Sequence, residues 1–404
     1  MSHRLRFLLI IVSCVLVFYI VIGGLLGEGT SPNEETYRDL GVYSEVLSRI
    51  KSDYVTQPDL HKVTGGAIRG LLEALDPYST YFSPEQFKAY LADPNPGPGR
   101  VGIFVSKRFG FATVVSVLPA SPAEKAGVKP ADLIDRINGQ PVRNLSAVQI
   151  QRELAGQPGS TVDVWVVDQT RGKPQKVSLT RIAIAPPAVS AKLVDDQTAY
   201  IRVSTFNNGK AKEIQSAAKS LLNQGANKVV LDLRDCAGGN VDEAVKTASL
   251  FIKKGLIAYT YGQRSPRHDY MAEPMGEVIQ LPLAVLINRA TAGPAEIVAD
   301  AVLCDKRGDV VGATSFGVGV VQKPIAVGDG SGLLLSVAKY YGPDGKAIEN
   351  HGVTPNIMVP GLGQEMTLNG GELVGPDQYG TKADIQLQRA IDALKQRYSP
   401  SKAA

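Results

Sequence analysis

The longest apolar stretch stands near the start of the chain. Phe7 to Leu26 carries no charged residue over 20 positions. That meets the length of a membrane-spanning helix and exceeds the usual core of a signal peptide. His3, Arg4 and Arg6 precede it, and Glu28, Glu34 and Glu35 follow. The positive-inside rule then puts the N-terminus in the cytoplasm and the rest of the chain outside the membrane, in the periplasm. No A-x-A cleavage site stands near Gly23 to Gly29, so a retained signal anchor is expected rather than a cleaved peptide. After a polar linker, Ser31 to Glu35, the period becomes helical. Val42, Val46, Leu47 and Ile50 fall on one face, as do Ala67, Ile68, Leu71, Leu72 and Leu75 in the segment Val63 to Leu75. Asp76-Pro77 stops the second helix.

Beyond the Pro/Gly linker Pro94 to Gly99 the period shortens to that of strands. Val101 to Val105, Thr113 to Leu118, Leu133 to Ile137 and Val162 to Val167 read as strands of a compact β-rich module. Within it Ser121 is an N-cap with Pro122 at the first helical position and Gly127 closing the short helix, and Asn138-Gly139 is a hairpin turn. From Pro186 strands and helices alternate: Thr198 to Val203, the helix Lys210 to Gln224, the buried strand Val229 to Leu233, then the helix Val241 to Ile252. Such alternation predicts a parallel sheet. Lys253 to Pro274 reads as one strand and an exposed loop. A further apolar run, Ala284 to Ile287, leads through a small-residue turn, Ala290 to Ala295, into a helix headed by Glu296. Val310 to Gly312 is a strand, Phe316 to Gly319 a Gly-rich loop and Gly332 to Tyr341 another strand. Gly361 to Gly380 reads as a flexible linker, and Asp384 to Lys395 as a last helix.

Composition adds exclusions. Across 404 residues the chain is 44% hydrophobic and 20% charged, with net charge +4 from 43 basic and 39 acidic residues. No basic block points to nucleic acid. Three cysteines are too few for a disulfide framework, and the four histidines form no metal-binding motif. Neither a metal nor a cofactor is expected.

Several of these stretches resemble one family, the carboxyl-terminal processing or tail-specific proteases. The carriers are Asn288, Glu296-Ile297, then Phe316-Gly317, Gly319 and Val321-Gln322, with Leu231-Asp232-Leu233-Arg234 and Gly238-Gly239 upstream. The run Leu75 to Phe82 resembles a hallmark that precedes the family's binding domain, and Ser121 to Asp132 with its Asn-Gly turn resembles a bacterial PDZ domain. The resemblance implies a multidomain α/β chain with a helical region over 31–97, a PDZ domain over 98–182 and a ClpP/crotonase-like α/β protease-type domain over 183–360, between the anchor read over 1–30 and the linker with a C-terminal helix read over 361–404. It also implies a serine peptidase with a Ser nucleophile, a Lys base, and oxyanion donors on the residue after the serine and on the glycine pair.

Here the chain departs from the family. Gly293 stands at the serine position, Val318 at the lysine position, and Pro294, which has no N–H, at the donor position. Glycine cannot attack a carbonyl and valine cannot take a proton. Thr291, Ser315 and Cys236 are the residues that could stand in; the plain reading of Thr291 is a hydroxyl capping the helix, and of Cys236 a buried packing residue. Gln322, which by resemblance orients the lysine, is retained.

The PDZ resemblance implies capture of C-terminal tails by strand addition, the carboxylate held by the loop Val101-Gly102-Ile103-Phe104. Gly102 would let the backbone approach it, and Leu145, Val148 and Leu154 would line the pocket for the last side chain. Ile103 and Phe104 could instead fill the module's own core. The expected protein is a membrane-anchored, extracytoplasmic pseudoprotease that binds tails, with a homo-oligomer or an active relative as possible partners. The alternative is an active endopeptidase with a non-standard nucleophile.

Overall fold

A computed structural model describes residues 34–94, 96–108, 110–143, 145–168, 172–273, 279–360 and 378–398. The apolar run Phe7 to Leu26 lies outside these residues, as does most of the linker read at Gly361 to Gly380. Among the described residues no helix is long and apolar enough to cross a membrane. The chain divides into two compact units, Met1–Ala67 and Ile68–Ala404.

In the first unit Glu34–Asp53 is helical. Its expected apolar stripe is not buried: Val42 and Val46 are exposed, and Leu47 and Ile50 half-buried.

The second unit holds the β-rich module and the α/β region. In the module the strands run in the order Ile103–Arg108, Phe111–Val117, Leu133–Ile137, Thr161–Val167, Gln175–Thr180, leaving Ile103–Arg108 at an edge. Ser121 caps its short helix, with Pro122 at the first position. Gly99–Arg100 pairs with Ile182–Ala183, which brings the two ends of the module together.

The α/β region is built on a sheet ordered Ser190–Leu193, Thr198–Arg202, Lys228–Asp232, Leu283–Ile287, Asp309–Gly312, Ile357–Met358. All pairs except the first are parallel. Alternate residues serve opposite faces. Ala199, Ile201, Val229, Leu231, Val285 and Ile287 pack against the helices Lys210–Asn223, Val241–Ser249 and Pro294–Cys304. Tyr200, Val230, Ala284, Leu286 and Val311 pack against Leu387, Ala390, Ile391 and Leu394 of the C-terminal helix Ile385–Tyr398. Coverage on both faces explains why these strands are continuously apolar.

A second, antiparallel sheet corrects one expectation. The segment 253–274 is not a strand and a loop: Leu256–Gly262 and Ser265–Met271 pair as a hairpin, and Leu256–Gly262 pairs on with Gly332–Tyr341. The second strand is largely exposed, so it carries no apolar alternation to read.

Candidate active site

The turn between Leu283–Ile287 and Pro294–Cys304 is clamped to the loop after Lys228–Asp232. Asn288 Oδ1 accepts from Asp235 N (3.0 Å) and Ala290 N (3.0 Å), while its Nδ2 donates to Asp235 Oδ1 (2.8 Å). Ala292 N donates to Cys236 O (2.9 Å). Thr291 does not cap the helix. Its hydroxyl is buried, accepts from Asn288 N (3.0 Å) and donates to Leu233 O (2.7 Å). The helix opens instead at Gly293, whose φ of 63° and ψ of −120° place it in a region that essentially only glycine occupies at no cost. A strained strand-to-helix turn of this kind is where α/β hydrolytic enzymes present a nucleophile. Pro294 fills the first helical position.

Glu296 sits fully buried beneath this turn. One carboxylate oxygen accepts from Gly293 N (2.8 Å) and Val318 N (2.9 Å), the other from Gly317 N (2.7 Å) and the Ser315 hydroxyl (2.5 Å). It therefore joins the turn to the Gly-rich loop, which brings positions 293 and 318 to one place. Burial pushes its carboxyl up to about 7, against the pull of the four donors. The hub was missed in the sequence, where Glu296 is a single acid heading a helix; two of its three distant donors, Gly317 N and Val318 N, are backbone groups and the third is the Ser315 hydroxyl.

The space at this place is lined with apolar groups. Val318 and Phe104 pack against Val115, Ala237, Ala292 and Phe316. The Phe104 ring lies against Gly238, where a Cβ would strike it, so the edge strand of the β-rich module covers the glycine pair. Gly238 and Gly239 both have positive φ, and a Cβ on Gly239 would meet the Phe206 backbone.

The possible substitutes are committed elsewhere. The Ser315 hydroxyl donates to Glu296 and accepts from Val353 N (2.6 Å). Cys236 is fully buried, and desolvation with the nearby Asp232 charge raises its thiol far above the ordinary range. The buried lysines Lys107 and Lys210 pair with Glu73 (3.1 Å) and Glu213 (2.6 Å). Lys306 and Lys323 are exposed. Gln322 Nε2 donates to Tyr78 O (2.9 Å), tying the hallmark run Leu75 to Phe82 to the strand Val320–Ala326.

A buried ion network lies beside the clamp. Arg234 holds Asp232 (2.6 Å) and Asp384 (2.7 Å), with Tyr379 stacked 3.8 Å from the guanidinium. The Tyr379 hydroxyl accepts from Asn288 Nδ2 (3.3 Å). The C-terminal helix is thus part of the core, and the turn leading into it, with Tyr379 and Asp384, reaches the site.

The tail-binding expectations are partly redrawn. Leu154 is buried in the module's own core beside Val101 and Ile103. Leu145 packs on the margin of that core, and Val148 packs against Phe82, Phe87 and Leu334. At Gly102 (φ 85°) the missing Cβ makes room for Ser121. The glycine is required by the module's interior, independently of any approaching carboxylate. Among the described residues, Asp300, Cys304 and Asp344 bring possible metal-ligand atoms within 4.8 Å of one another, but Lys346 already pairs with Asp344 at 2.7 Å.

A PDZ-type module seated on an α/β core with a nucleophile-type turn defines a class, the PDZ-bearing serine peptidases of C-terminal processing. The chain matches Peptidase family S41 over residues 197–359 and a PDZ domain over residues 113–167. It is 32% identical over 358 residues to a carboxy-terminal-processing protease of Bartonella bacilliformis, covering 86% of this chain and 82% of that one. It is 31% identical to the carboxy-terminal processing protease CtpA of Bacillus subtilis, covering 86% and 74%. The solved photosystem II D1 C-terminal processing protease superposes with a TM-score of 0.65 at 26% identity, covering 79% of this chain and 92% of that one. The chain belongs to this family of carboxyl-terminal processing proteases.

Proposed function

We propose that this chain is a catalytically inactive member of its family, anchored by its N-terminal apolar run on the outer side of a membrane, that captures protein C-terminal tails through its PDZ domain. The observation that carries the reading is the pair Gly293 and Val318. Glu296 fastens these two positions together where the family's chemistry belongs, and neither side chain can attack or accept a proton. Pro294 removes a backbone donor as well; loss of one oxyanion donor typically costs about 10²–10³ in rate. The apolar packing of Phe104 and Val318 supports the same reading. Retained scaffold and capture module suit a protein that shields tails or pairs with an active relative or a second copy.

The test is cleavage of an unfolded protein by the full chain in detergent, followed by mass spectrometry, beside a variant carrying Gly293→Ser, Pro294→Ala and Val318→Lys. The natural chain is expected to be silent and the variant to cut. Cleavage by the natural chain that is abolished by Thr291→Ala, Ser315→Ala or Cys236→Ala would establish a displaced nucleophile and end the proposal.

A further inference from the structure

The strand Ile103–Arg108 is the edge of the PDZ sheet, paired on one side with Phe111–Val117. Its other side faces the helix Ala147–Leu154. A peptide that joins a sheet edge does so through the backbone groups left unpaired there. Two such groups, the Ile103 carbonyl and the Val105 N–H, flank Phe104 on this side. Both are occupied by one side chain. Gln151 Nε2 donates to Ile103 O (3.0 Å), and Val105 N donates to Gln151 Oε1 (3.4 Å). A carboxamide offers the same donor and acceptor as a peptide unit, so Gln151 satisfies the edge as an incoming strand would.

We propose that Gln151 sets the affinity and selectivity of the tail-binding groove: an extended peptide with a free C-terminal carboxylate enters only by displacing the Gln151 carboxamide from Ile103 and Val105. The inference rests on the tail-capture reading above and adds to it the residue that a tail must compete with. A weakly bonding tail is refused, because it must better two hydrogen bonds already made. The groove stays satisfied when empty, so its edge is also closed to unspecific strand pairing.

The experiment uses the full chain in detergent micelles and a fluorescent decapeptide ending in Val-Ala-Ala with a free carboxylate, beside its amidated twin. Anisotropy titration is run on the natural chain and on Gln151→Ala and the near-isosteric Gln151→Met. Hydrogen exchange at the Val105 amide is followed in all three. Removing a competitor that makes two neutral hydrogen bonds is expected to tighten carboxylate-peptide binding about 5–30-fold, with a smaller gain for the amidated twin. Val105 exchange is expected to accelerate in both variants. Equal or weaker peptide binding by both variants overturns the proposal, as does unchanged Val105 exchange. Accelerated exchange with no binding of the peptide by any of the three proteins overturns the tail-capture reading, and leaves Gln151 as the cap of an edge that takes no tail.

Discussion

Adding one methyl group at Gly293 tests whether the turn retains a nucleophile's backbone. A Cβ built there meets nothing within 4 Å, so Gly293→Ala creates no clash. Its effect comes from the backbone alone, held at φ 63° and ψ −120°. A non-glycine residue in such a region costs about 1–3 kcal/mol. Replacing glycine also removes freedom from the unfolded chain, which returns about 0.4–1 kcal/mol. The difference is a net loss of about 0–2.6 kcal/mol, and a core of this size loses roughly 2–4 °C in melting temperature per kcal/mol. Calorimetry should therefore show the midpoint falling by up to about 10 °C. Gly328→Ala is the control: its Cβ also meets nothing, and its φ lies outside the left-handed range. That variant should be neutral or slightly stabilised. If Gly293→Ala melts no lower than the Gly328 control, the turn is unstrained and the reasoning fails. If it melts lower, a serine at this position would carry the same strain, and its replacement by glycine would have made the fold more stable.

Three further outcomes follow from the packing and charge. The carboxyl of Glu296, raised to about 7 by burial, binds its proton more tightly folded than unfolded; its contribution is fully present below about 4.5 and is lost as pH rises through about 7. Urea unfolding of Glu296→Gln should therefore show the variant gaining on the natural chain by up to about 3 kcal/mol between pH 4.5 and 8, and a pH-independent difference would contradict this. Asp384→Ala leaves the buried Arg234 with one partner fewer; a loss of about 3–5 kcal/mol and early proteolytic release of the C-terminal helix are expected, and unchanged proteolysis would show that the helix is held otherwise. Leu154→Ala should lower PDZ stability by about 2–5 kcal/mol as a core truncation, whereas a shift within about 0.5 kcal/mol in denaturant unfolding would return Leu154 to a pocket wall.

The elements with strong periodicity were legible in the sequence. Leu133–Ile137 and Gly332–Tyr341 fall where the pattern puts them, and Ser121 caps its helix as its position suggests. The hairpin Leu256–Met271 was half missed because its outer strand faces solvent, and exposed strands carry no apolar code. In the site, Gly293, Pro294 and Val318 could be placed by motif spacing, and Glu296 then holds 293 and 318 together. What spacing could not convey was long-range packing. Phe104 meets Gly238 across separate domains, and Thr291 bonds a carbonyl 58 residues away. Leu154 was read as a pocket residue and is buried in the module's core; one apolar residue on an amphipathic helix reads alike whether it faces a groove or a core.

The Arg234–Asp384 pair also bears on how the chain is made. The partners are 150 residues apart in sequence. At typical synthesis rates of about 5–20 residues per second, Arg234 leaves the ribosome roughly 8–30 s before the carboxylate that completes its burial. For the later part of that interval, once Ala284 and Leu286 have also been made, the sheet face they share with Tyr200 and Val230 waits for the helix that covers it. The α/β core therefore reaches its final packing only after its last helix has been made, and for that time it depends on whatever holds a nascent, half-covered sheet away from its neighbours.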